Sequence, residues 1–402
     1  MNISPEKLRR IGIIIGFALI IIILGWLIYI IFFKSTPTVE VPDITPTSTT
    51  GILPGPGPGV ITPIIDAGAP ERFPSAIARG GLTETTTLVN SITRGATLGE
   101  DGRVNYYDDI EDKFFTIAPD GTITTLSSET FPQVQVVTWA PSATNAILEF
   151  PDGANIYYDF NTGEQVTLPQ HWSSFNFSPD GDQIVFKSLS LEPENNVLAI
   201  ADPDGNGSRV IASIGENAYR VLPDWSPNRQ MVASYAEPYD GDRQELFFIG
   251  LNDENFRKIL INGYGYQSLW NPNGTQLLYN VSASSSGNSP TLWLVNAQGE
   301  AVGSGRKPLN IKTTVDKCTF ASLTDIYCAV PQFLPDGSGL LPSIADGIPD
   351  EIYKINAITG ASEKVAELDS LSIVSTISIS PDGKYLYFTD SFTGKLKSIR
   401  LK

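Results

Sequence analysis

The chain has 402 residues, with 27 Lys and Arg against 44 Asp and Glu, a net charge of −17. Beyond residue 34 the balance is 23 basic to 43 acidic, which repels a phosphate backbone and argues against nucleic acid as a partner; besides solubility, that sign suits cationic partners or divalent cations. A single His (His171) and two Cys (Cys318, Cys328) exclude any site that needs several imidazoles or thiolates from one chain.

The first ten residues carry Lys7, Arg9 and Arg10. Residues 11–33, IGIIIGFALIIIILGWLIYIIFF, contain no charge, and as a helix they would span about 34 Å, enough for a hydrocarbon core of about 30 Å. The run is longer than the apolar region of a cleavable signal peptide and lacks a small-residue cleavage site at its end, so an uncleaved signal anchor is expected. Lys34 follows alone, with Glu40 and Asp43 soon after, which predicts a cytoplasmic N-terminus and an exported remainder. The expectation is a single-pass cell-membrane protein that meets the lipid bilayer through residues 11–33. Gly12 and Gly16 have the spacing of a close helix–helix contact, a spacing that chance also supplies in an Ile-rich run. Residues 34–75 are rich in Pro, Thr and Gly and cannot bury a core; they read as a stalk that lifts a domain off the membrane, or as a plain linker.

From residue 76 to 402 a phrase recurs: FSPDGDQIVF (Phe177–Phe186), WSPNRQMVAS (Trp225–Ser234), WNPNGTQLLY (Trp270–Tyr279) and ISPDGKYLYF (Ile379–Phe388). Each copy is an apolar residue, a Ser/Asn-Pro-Asp/Asn turn and an alternating β run. A second hairpin follows, as in NIYYDFNTGEQVTL (Asn155–Leu168) or EIYKINAITGASEKV (Glu351–Val365). Two hairpins make a four-stranded meander, and meanders repeated at about 40–50 residues predict an all-β fold, a β-propeller. Three degenerate copies (Leu98–Tyr107, Trp139–Leu148, Phe320–Ala329) bring the count to seven blades, with six blades and an irregular module as the alternative. The last copy lacks a fourth strand. An open ring would expose strand edges, so a stretch within Val60–Thr86 is expected to pair with Gly394–Lys402.

These copies resemble the TolB-like, or PD40, repeats of the WD40-like propellers. The resemblance covers about residues 80–402 and implies the fold; such repeats occur in periplasmic propellers and in the propeller domains of prolyl-oligopeptidase-type and dipeptidyl-peptidase-type enzymes. The layout of anchor, stalk and lone propeller also resembles bacterial membrane-anchored propeller proteins. No segment offers the G-x-S-x-G nucleophile elbow of the peptidases, so their activity does not carry over.

Folding KCTFASLTDIYCA about Leu323 sets Cys318 opposite Cys328, close enough for a disulfide, with two buried thiols as the alternative. Asp202, Asp204 and Asn206, in DPDGNGS, have the alternating oxygens of a calcium loop, yet the same residues suit a hairpin turn and no Glu follows in position. His171 has no nucleophile nearby in sequence and reads as a blade-edge residue. Asp346, Asp350 and Glu351 could gather at a hydrolytic centre or simply open a hairpin. Insertions at residues 188–195, 281–290 and 331–350 supply loop surface. No catalytic residue and no cofactor is assigned. The expected function is a binding or scaffolding module at the cell envelope, engaging a protein or a glycan; the alternative is an envelope hydrolase or lyase with carboxylates in the propeller funnel.

Overall fold

A computed structural model of the chain describes Leu19, Leu24, Trp26 and residues 73–402. The chain divides into two compact units, residues 1–69 and 70–402. Leu19, Leu24 and Trp26 are helical and exposed. The rest of the expected membrane span and almost all of the stalk lie outside the described residues; among those described, no helix is long and apolar enough to cross a membrane.

Residues 73–402 form a seven-bladed propeller of antiparallel sheets. The four chain-order strands of blade 1 fall within residues 93–125, of blade 2 within 136–168, of blade 3 within 172–213, of blade 4 within 221–262, of blade 5 within 264–308 and of blade 6 within 318–368; blade 7 takes three strands from residues 374–400. The first strands of neighbouring blades contact one another and so lie innermost. Seven buried apolar clusters accompany the seven blades, one in each seam. Trp172, Phe177 and Phe186, for example, fill the seam between blades 2 and 3 with Ala140 and Ile147. The alternating residues of each strand therefore serve two seams, which is why the second strands are apolar on both faces.

The repeated phrase is the turn between the first and second strands. Ser178, Ser226 and Ser380 are buried, and each accepts a backbone N–H from across its turn (Gln183 at 3.0 Å, Met231 at 2.9 Å, Tyr385 at 2.9 Å). Each also donates its hydroxyl proton to the Asp or Asn two residues on, at 2.6–2.8 Å. Asn271 fills the first role in blade 5, accepting from Thr275 and Gln276. The position where Gly181, Gly274 and Gly383 take positive φ is occupied in blade 4 by Arg229 at φ 61°. Its guanidinium pairs with Asp180 on the turn of blade 3, so a side chain that the backbone disfavours there gains a contact between blades.

Ring closure follows the sequence expectation, displaced by one residue. Strand Thr86–Thr87 pairs antiparallel with Leu396–Arg400, through Thr86 opposite Ser398 and Thr87 opposite Lys397, and supplies the outer strand of blade 7. A second link was not foreseen: Leu82–Thr83 lies parallel to the outer strand of blade 6, Ser362–Leu368. Ala78 N–H also reaches the Arg400 carbonyl at 2.8 Å. The N-terminal latch thus ties two blades rather than one. Replacing residues 82–87 with a Gly/Ser stretch of equal length should lower the thermal midpoint by several degrees and broaden the transition; an unchanged, equally sharp melt would show that closure does not depend on the latch.

Candidate functional site

The antiparallel order gives the propeller two unlike faces. First-to-second and third-to-fourth strand connections emerge on one, the turn face, where the Ser-Pro-Asp turns sit. Second-to-third connections and blade-to-blade passages emerge on the other, the loop face. All three insertions noted in the sequence belong to the loop face, in blades 3, 5 and 6. So do most of the exposed large apolar side chains, including Ile110, Leu191, Tyr219, Phe333, Leu340, Leu371 and Phe392.

Residues 332–349 of blade 6 lean on the blade 5 insertion through backbone hydrogen bonds, Gly337 N–H to Gly287 O at 2.7 Å and Gly339 N–H to Asn288 O at 2.8 Å. A Cβ on Gly339 would sit 1.9 Å from Ser282 Oγ, so the two loops approach only because this residue is Gly. Between these loops and blade 7 lies a cleft of about 460 Å³. Pro290, Leu334, Pro342, Ile348, Ile373 and Phe392 make its lining mainly apolar.

The cleft wall contributed by the blade 6–7 passage is pinned by two buried ion pairs. Asp350, fully buried, takes Lys317 Nζ at 2.9 Å and the Val374 N–H at 2.7 Å. Asp390 takes Lys397 Nζ at 2.8 Å, Thr393 Oγ1 at 2.8 Å and the Ile373 N–H at 3.3 Å. Lys397 also donates to Ser372 Oγ at 2.9 Å. Burial raises the Asp350 carboxyl above its ordinary pKa, and Lys317 and the Val374 amide offset that only in part. At Asp390 burial acts the same way, but the Lys397, Thr393 and Ile373 hydrogen bonds outweigh it and hold the carboxyl low.

The three carboxylates singled out from the sequence part company. Asp350 is structural in this network. Glu351 lies 3.5 Å from Lys364 Nζ and accepts from Tyr353 at 3.3 Å. Asp346 is exposed on the cleft. His171 is exposed beside the Trp172 ring. Asp204 accepts from Asn206 twice, through its backbone N–H at 3.0 Å and its side-chain amide at 2.7 Å, within the hairpin turn joining Val197–Ala201 to Arg209–Ser213. Among the described residues, no three His, Cys, Asp or Glu side chains gather into a group able to hold a metal ion. Cys318 and Cys328 stand directly opposite on the first hairpin of blade 6, with Cα atoms 4.1 Å apart and the sulfurs bonded.

Two further carboxyls stand above their ordinary range. Asp224, at the inner edge of blade 4, has no hydrogen bond to its carboxyl among the described residues; part of its surface meets solvent, yet enclosure pushes it up to about 7. The neighbouring Tyr266 phenol, raised first by its own burial and further by Asp224, bonds to Ser234 at 3.1 Å. Glu149 of blade 2 is raised by burial, against the Ser174 N–H it accepts. Ser174 has φ 56° at a bulge, an arrangement with no signal in the sequence. Glu149, Asp224 and Asp350 belong to three different, non-adjacent blades.

No family model matches the chain, and no curated protein matches it. Solved structures do. An oligogalacturonate lyase in complex with manganese aligns at 15% identity and a TM-score of 0.56 over 79% of this chain and 93% of that one. The oligogalacturonate lyase from Vibrio parahaemolyticus aligns at 12% and 0.50 over the same shares. The Cps50 (Swd1) β-propeller domain from Myceliophteria thermophila aligns at 10% and 0.53 over 79% of this chain and all of that one. The chain is a seven-bladed, WD40-like propeller. Identities this low carry the fold and no activity.

Two outcomes test the electrostatics. Lys317→Met leaves Asp350 buried without a counter-charge and should destabilise by about 3 kcal/mol, with Lys317→Met/Asp350→Leu recovering much of the loss; denaturant melts giving equal values for both variants would contradict this. Asp224 holds its proton in the folded state up to about pH 7 but releases it near its ordinary 3.8 when unfolded. Stability should therefore fall as pH rises from about 4 to 7. Asp224→Asn should be more stable than the parent at pH 8 by roughly 2–4 kcal/mol and equal to it near pH 4; a pH-independent difference would refute the assignment.

Proposed function

We propose that the protein is a membrane-anchored, extracytoplasmic propeller of the TolB-like, PD40-repeat kind that binds an envelope protein through its loop face. The observation that carries the reading is the apolar cleft beside residues 332–349. Its walls are fixed by ion pairs and close glycine contacts, and the long loops and exposed apolar residues surround it, while the opposite face is spent on tight turns. Anchoring is supported by the uncharged 23-residue run 11–33 and by the basic residues that precede it. A disulfide between Cys318 and Cys328 suits an oxidising, exported location. A protein partner fits the apolar lining better than a glycan does, since Phe392 is the one aromatic ring among the lining residues.

A second reading, an envelope hydrolase or lyase, is favoured by the raised carboxyl of Asp224 and is the activity class named for two of the structural neighbours. Against it stand the engagement of Asp350 by Lys317 and the Val374 amide and the acidic charge of the chain. Oligogalacturonate is a polyanion, which this surface repels.

A photo-crosslinking phenylalanine analogue at Ile344, beside the cleft, should give a discrete protein adduct in native envelopes. The same analogue at Ile358, exposed on the turn face, should give none, and Ala345→Trp, which fills the cleft, should abolish the Ile344 adduct. Equal labelling from both faces, or no protein adduct, would overturn the binding reading.

A further inference from the structure

The cleft leaves unmet chemistry that specifies what enters it. Ser338 lines the cleft at 4% exposure, and its Oγ has no hydrogen-bond partner among the described residues. A buried hydroxyl in that state is disfavoured until something supplies a partner. Asp316 and Asp346 also line the cleft; both are exposed, and among the described residues neither carboxylate has an ion pair or a hydrogen bond. Lys317, the lysine in the lining, is already engaged by Asp350. The local balance is therefore two uncompensated negative charges over apolar walls.

These features come from different elements. Asp316 lies in the short 3₁₀ turn Val315–Lys317 that leads into blade 6, Asp346 follows the turn Pro342–Ala345, and Ser338 sits in the stretch that docks on blade 5. An apolar group alone would satisfy the walls and strand Ser338 and the carboxylates. An anionic ligand would add like charge. A ligand that meets all three has a bulky apolar side chain, a neighbouring cation and a polar backbone group. The volume is within the range of about 300–1,000 Å³ that encloses small ligands and short peptide stretches.

We infer that the cleft seats an extended segment of a partner protein in which a bulky apolar residue is flanked by Lys or Arg, the apolar side chain lying on Ile348, Ile373 and Phe392, the cation at Asp316 and Asp346, and a backbone group hydrogen-bonded to Ser338. This rests on the cleft being a protein-binding site, and it adds the chemistry of the bound segment. The acidic charge of the exported chain favours the encounter with such a segment and makes it salt-dependent.

Calorimetric titration of the full chain in detergent with the peptide Gly-Pro-Arg-Phe-Pro-Gly tests it. Binding is expected, with Lys tolerated in place of Arg. Replacing Arg by Glu, or Phe by Ser, should weaken binding at least about tenfold. The double variant Asp316→Asn/Asp346→Asn should lose a similar factor and most of the salt dependence, and Ser338→Ala should lose a smaller one. Ala345→Trp should abolish binding. If the Glu-Phe peptide binds as well as the Arg-Phe peptide and Ala345→Trp blocks both, the cation is wrong while the protein-binding cleft stands. If no peptide binds and a galacturonate oligomer does, the inference fails and the protein-binding reading fails with it.

Discussion

The mutual burial of neighbouring blade faces around a closed ring is the constraint on which the rest of this structure depends. Each blade is a single sheet with apolar side chains on both faces and no second layer of its own, so it is buried only by the blades on either side. That is visible in the seven apolar clusters, each shared by two blades. One missing neighbour would leave two faces wet. Thr86–Thr87 on blade 7 and Leu82–Thr83 on blade 6 add the outermost pairings where the two ends of the domain meet, and Ala78 and Val89 beside them join the apolar clusters on either side of blade 7. Because these pairings join the start of the domain to its end, the ring completes through its least local contacts.

Closure also divides the labour between the faces. The turn face is built from short, self-satisfied units in which a buried Ser or Asn carries the hydrogen bonds of the turn, and neighbouring turns touch, as Arg229 does with Asp180 and Asn228 with the Gly274 carbonyl at 2.6 Å. Little there can be enlarged without breaking these contacts. The loop face bears connections whose length the ring does not dictate, and residues 332–349 show the consequence. A long loop that would be mobile alone becomes a wall of a cleft by docking on its neighbour through Gly337 and Gly339.

The features legible in the sequence are those whose chemistry is local. A Ser-Pro-Asp-Gly phrase marks a hairpin because its bonds lie within a few residues, so even worn copies such as Trp139–Leu148 fall in register. Cys318 and Cys328 share a hairpin, and their opposition follows from counting. The need for a closing strand was legible from the strand count, but the parallel addition to blade 6 was not, since a two-residue pairing leaves no pattern. The cleft could not be read at all. Lys317, Asp350, Lys397 and Asp390 come from four separate strands and turns and meet only through the topology. Asp350 opens a hairpin in the sequence and anchors a wall in the structure. Ser338 resembles any loop Ser until its burial is known.

The two ion pairs behind the cleft are unequal, and the difference says what they are for. Asp390 is surrounded by donors, which hold its carboxyl low despite burial, so that pair is stabilised by its hydrogen bonds. Asp350 has fewer donors, and burial wins. A pair in that condition contributes little net stability, since desolvation consumes most of the attraction. What it does contribute is position. Asp350 sits at the start of a blade 6 strand and holds the Val374 amide at the start of blade 7, so the two blades meet at one distance and the Ile373–Ser375 wall has one place to stand. An apolar contact there would bury as well but could slide. The cleft is thus kept to shape by a pair whose energetic return is small and whose geometric return is large.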